Sequence, residues 1–127
     1  MKNKRLAVFA VAAGLMVLSG PMFAHHAAST YDREHPVTLT GTVTDFQFIN
    51  PHVLIVFEVT DKDGTLVKWA AGSAPPQSLE RAGWNRQSLK PGDQIRVTGA
   101  PHKEGKKELS VIKLVGPTGQ VLTQPVN

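Results

Sequence analysis

The sequence predicts an all-β domain with one short helix. Apolar residues recur at period two in several segments, and turns rich in Gly, Pro and Asp separate them. A single stretch of helical spacing falls after the third segment. Three strands, a helix and then two more strands, with a glycine bending the first, match a small five- to six-stranded OB-like Greek-key barrel. A β-sandwich is the alternative, less suited to a short chain with an inserted helix.

Residues 1–24 read as a cleavable secretory signal. Lys2, Lys4 and Arg5 form a basic start, Leu6 to Leu18 an apolar run, and Ser19 to Ala24 a short polar-to-small exit ending in Met22-Phe23-Ala24. That run is shorter than the roughly 20 residues needed to span a bilayer, so the expectation is a periplasmic chain starting at His25 with no stable membrane anchor. Removing Lys2, Lys4 and Arg5 from the fourteen basic residues leaves eleven against ten acidic ones. The high pI thus belongs mainly to the signal, and nucleic acid is not expected as a partner. There is no cysteine, and all three methionines precede residue 25, so the mature chain offers neither a disulfide nor a soft sulfur ligand.

An extended arm is expected over residues 25–36. From Val37, the residues Leu39, Gly41 and Val43 alternate with threonines, which is a half-buried strand. Gly41 suggests a bulge or bend there. Phe46 and Phe48 then fall on the threonine side of the count, which a second irregularity near Asp45 would reconcile. Asn50-Pro51 turns the chain into a second strand, His52 to Thr60. Asp61-Lys62-Asp63-Gly64 is a hairpin turn into a third, Thr65 to Ala70. Ser73 to Gly83 reads as a short helix with proline in its first turn and glycine at its stop. Asn85 is expected to cap a further helical turn ending at Leu89, and Lys90-Pro91-Gly92-Asp93 is a type II turn in composition. Gln94 to Gly99, Glu108 to Val115 and a weak Gln120 to Thr123 complete the strands, so the barrel domain spans 37–123 and the tail 124–127.

Two groups of side chains are candidates for function. His25 and His26, at the expected new N-terminus, place an α-amine beside two imidazoles, a donor set suited to Cu(II) or Zn(II) unless the pair is simply solvated. In an OB barrel the β1–β2 and β4–β5 loops flank one binding face, which would gather Asn50, His52 and His102 around Trp69 as a stacking ring. The competing reading makes Trp69 a core-edge aromatic and the histidines loop caps. Lys103, Lys106 and Lys107 alternate with Glu104 and Glu108, as at a solvated loop tip. Asp32, Glu34 and His35 lie close together before a proline and read as an entry loop.

No nucleophile motif is present. The sequence therefore favours a non-catalytic binding protein for a metal ion or small ligand. An accessory module holding an envelope protein partner comes second, and a small hydrolytic or lyase-like enzyme third.

His25-His26, Gly41-Thr42-Val43, Asn50-Pro51-His52, Trp69, Leu79-Glu80-Arg81-Ala82-Gly83-Trp84 and Leu89-Lys90-Pro91-Gly92-Asp93 occur in this order. This set resembles an uncharacterised family of small exported proteobacterial proteins, a domain of unknown function. The resemblance implies an exported OB-like barrel and no particular activity. Relatives often carry a glutamate after the Trp strand, where this chain reads Ala70-Ala71-Gly72.

Overall fold

A computed structural model describes residues 30–124. The expected signal, its cleavage site, the His25–His26 pair and the last three residues lie outside the described residues. The elements are β1 (Val37–Gln47), β2 (Leu54–Thr60), β3 (Leu66–Gly72), α1 (Pro76–Arg81), β4 (Gln94–Pro101), β5 (Glu108–Val115) and β6 (Val121–Thr123).

The phase slip in β1 has the expected cause. Val43 pairs with Phe57 but Asp45 pairs with Val56, so Thr44 is the extra residue of a bulge. The bulge returns Phe46 and Phe48 to the inner face already held by Val43, and Phe48 is buried. Gly41 is not at the bulge. A Cβ there would strike the Glu58 backbone carbonyl and would lie 2.8 Å from the Phe57 ring, so the residue is needed for close strand approach.

The strands run in the order β3-β2-β1-β4-β5-β6, and β3 also pairs with β5. That pairing closes five strands into a mixed barrel with β6 appended, the OB-like Greek key expected. It is parallel and short, matching Ala70 with Glu108, Ala71 with Leu109 and Gly72 with Ser110. Every other pairing is antiparallel. Phe57, Ile55, Leu109 and Leu114 fill the interior. Each such side chain contributes about 1.5–3 kcal/mol by leaving water.

Register defines two ends. At one lie the start of β1, the β2–β3 turn and the β4–β5 loop, since Val37 pairs with Gly99 and Tyr31 bridges His102. At the other lie the β1–β2 loop and α1.

The helix is shorter than expected. Ser73 and Ala74 remain paired to Val53, through Ser73 N–H to the Val53 carbonyl (2.8 Å) and Val53 N–H to the Ala74 carbonyl (3.1 Å). Pro75 and Pro76 keep the residues before them extended. Strand pairing thus outcompetes helix until Pro76, which sits in the first turn. Gly83, at φ +90°, ends the helix, while the Trp84 N–H reaches back to the Leu79 carbonyl (2.9 Å). Leu79 and Trp84 are both buried in the core.

The further helical turn expected after Asn85 is a single β-turn, in which the Asn85 side chain accepts the Gln87 N–H at 2.8 Å. Strand β2 starts at Leu54, two residues later than expected, and β3 runs two residues further, to Gly72.

Candidate functional site

At the first end, the arm is stitched to the β4–β5 loop. The Asp32 N–H donates to the Pro101 carbonyl at 2.8 Å, and the Lys103 N–H to the Thr30 carbonyl at 2.9 Å. Tyr31 sets its ring edge-on to His102, with centroids 5.6 Å apart, and points its hydroxyl at Glu108. His102 is 8% exposed, and its Nδ1 accepts the Glu104 N–H at 3.1 Å. That bond uses the Nδ1 lone pair, leaves the proton on Nε2 and makes His102 a loop cap.

Asp32 folds the chain back on itself. Its Oδ1 accepts the N–H groups of Glu34 and His35, and its Oδ2 lies 2.9 Å from His35 Nδ1. A carboxylate only accepts, so Nδ1 carries the proton, and in the neutral ring the Nε2 lone pair is left available. The His35 hydrogen bond, with backbone N–H groups, holds the Asp32 carboxyl below the usual carboxylate range. The His35 side chain is 79% exposed, beside a depression of about 410 Å³ that Lys103 also lines.

Trp69 is not on the outer face of the sheet. It pairs with Phe57, a core residue, so alternation turns it inward. There it packs at the rim of the core with Leu39 and Val59, and the Lys107 ammonium lies 5.1 Å from its ring centroid.

The second end holds a concavity of about 600 Å³. Phe48, Ile49 and Asn50 line it from the β1–β2 loop, Pro76, Gln77 and Glu80 from α1, and Arg86 from the following turn.

The expected cluster is therefore dispersed. Asn50 lines the helix-end cleft, Trp69 closes the barrel rim, and His102 caps a loop at the arm end. His52, exposed before β2, leaves the opposite end of the barrel from His102. The register explains the outcome: β1–β2 and β4–β5 are loops at different ends of β1. His25 and His26 lie outside the described residues. Among the described residues no three His, Cys, Asp or Glu side chains converge as metal ligands, and no helix is long and apolar enough to cross a membrane.

Asp32 and His35 fall in what the sequence alone presents as an entry loop, and their three-residue spacing is the available signal of the pair. Gln77, Glu80 and Arg86 carry no local signature and meet Asn50 only through tertiary structure.

A family model described as a family of unknown function, DUF6152, matches residues 12–110, from before the arm through β4 and into β5. The chain belongs to that family. Membership in DUF6152 agrees with the uncharacterised domain expected from the motifs and assigns no activity. No curated protein matches the chain. Among solved structures, the mitochondrial single-stranded DNA binding protein Rim1 of S. cerevisiae is similar, with 9% identity over 71% of this chain and 95% of that one, at a TM-score of 0.48. That finding corrects one expectation. The expectation of no nucleic acid rests on expected export and on net charge, a whole-chain sum that is blind to local surfaces. The exclusion is withdrawn.

Proposed function

We propose that this member of DUF6152 is an exported, non-catalytic binding protein of the periplasm that takes a transition metal, Cu(II) or Zn(II), through histidines of its arm. The observation that carries the reading is the Asp32–His35 pair. A carboxylate holding one ring nitrogen, with the other free, is the arrangement that orients metal-ligating histidines. His26 precedes Tyr31 by five residues, a reach of at most about 18 Å. Tyr31 and Asp32 are tied to the β4–β5 loop, so the arm segment that carries His35 is held at that end of the barrel. Export rests on the basic, apolar and small-residue pattern of residues 1–24.

Titrating the processed chain with Cu(II) and Zn(II) tests this, after mass spectrometry has fixed its first residue. His35→Ala is expected to weaken binding about tenfold or more, and Asp32→Asn to act in the same direction. Affinity equal to that of a free peptide beginning His-His, or indifference to His35→Ala, would refute the reading.

A further inference from the structure

We propose that the helix-end cleft binds a short peptide carrying a free carboxylate and an apolar side chain. Four polar side chains from three chain segments line it: Asn50, Gln77, Glu80 and Arg86. None makes a side-chain hydrogen bond or ion pair with the described residues. Several polar loop side chains elsewhere are occupied. Asn85 holds the Gln87 N–H, Ser88 the Asn85 N–H, Asp63 the Thr65 N–H, and Lys90 pairs with Asp93. The cleft therefore gathers donors and acceptors that the fold itself does not use.

Their chemistry is complementary to a peptide. A guanidinium takes a carboxylate through two parallel N–H bonds. The two carboxamides each donate and accept, as a peptide group does in return. Glu80 accepts an amine or an amide N–H. Ile49, 50% exposed at the rim, and the adjoining Phe48 and Pro76 supply an apolar wall. At about 600 Å³ the space lies within the range of small-ligand sites. The cleft is at the end of the barrel remote from the arm, so the proposal is independent of metal binding.

The test is an amide NMR titration of the processed chain with the free tripeptide alanyl-leucyl-alanine. Shifts are expected at Ile49, Asn50, Gln77, Glu80 and Arg86. Arg86→Gln, at an exposed turn, is expected to leave the spectrum of the barrel intact and to weaken binding about tenfold, as is amidation of the peptide carboxylate. No shifts at millimolar peptide, shifts confined to other residues, or equal binding by Arg86→Gln and by the amidated peptide would each overturn the proposal. So would oligothymidylate shifting these amides where the tripeptide does not.

Discussion

Phe57 and Trp69 stand directly opposite each other in the β2–β3 pair, so both side chains occupy the inner face of the sheet. Phe57 is wholly buried and Trp69 partly so, with the stem and charge of Lys107 above it. Trp69→Ala is expected to destabilise the barrel by about 2–3 kcal/mol, less than a fully buried tryptophan because Trp69 is only partly buried. Lys107→Ala is expected to remove under about 1 kcal/mol. Urea denaturation measures both; a Trp69→Ala loss below about 0.5 kcal/mol would mean the ring is a surface group after all.

Gly41 tests how closely β1 and β2 must approach. Alanine there drives a methyl group into the Glu58 carbonyl and the Phe57 ring, and backbone cannot move aside as a side-chain tip can. The expected loss is about 2–3 kcal/mol or failure to fold. A variant with wild-type stability would show that the strands are further apart than described.

Lys90 and Asp93 make the acid response of the fold specific. The Lys90 ammonium, 2.8 Å from Asp93 Oδ1, together with the Lys90 N–H, holds the Asp93 carboxyl below its ordinary value. A depressed folded-state pKa stabilises the fold above the unfolded value, and that contribution is lost as pH falls through the folded one. Lys90→Ala should raise the Asp93 titration toward its ordinary value and move the acid limb of the stability profile upward. Carboxyl NMR reads the first effect directly, and an unchanged Asp93 titration would dismiss the ion pair.

Tyr31 gives the opposite sign. Burial, then the Glu108 charge, pushes its phenol above the ordinary tyrosine value. The neutral form is the one the fold favours, so its contribution is complete below about pH 10 and is lost as pH rises through the folded value. Tyr31→Phe is expected to remove that alkaline sensitivity while changing stability at neutral pH by under about 1 kcal/mol, because the hydroxyl lies 3.5 Å from Glu108.

His102→Ala removes the acceptor for the Glu104 N–H and the ring against Tyr31. It is expected to cost about 1–3 kcal/mol and to speed amide exchange at Glu104 and Gly105. Unchanged exchange would count against the cap.

Period-two patterning was enough to place β1 through β5, and even the bulge near Asp45 was visible as a slip in phase. Local physics suffices there, because one buried face dictates which residues alternate. The helix was overextended because its composition carries no trace of Ser73 and Ala74 pairing with Val53. Trp69 stays open between a stacking ring and a core-edge aromatic for a similar reason: a lone tryptophan in a strand looks alike on either face until its cross-strand partner is known. His52 and His102 were set together by analogy to a fold, whereas the register separates them. The cleft was half legible, through Asn50, since Glu80 and Arg86 become its neighbours only when the chain is closed.

The β3–β5 seam is three register pairs long, against seven between β2 and β3. Breaking that seam leaves every antiparallel ladder intact and turns a closed cylinder into an open, twisted ribbon. Its new margins, along Ala70–Gly72 and Glu108–Ser110, present matching backbone groups to any second copy opened in the same way. Two such chains can satisfy each other's seam, so the weakest closure in the monomer is also a ready-made route to an exchanged dimer.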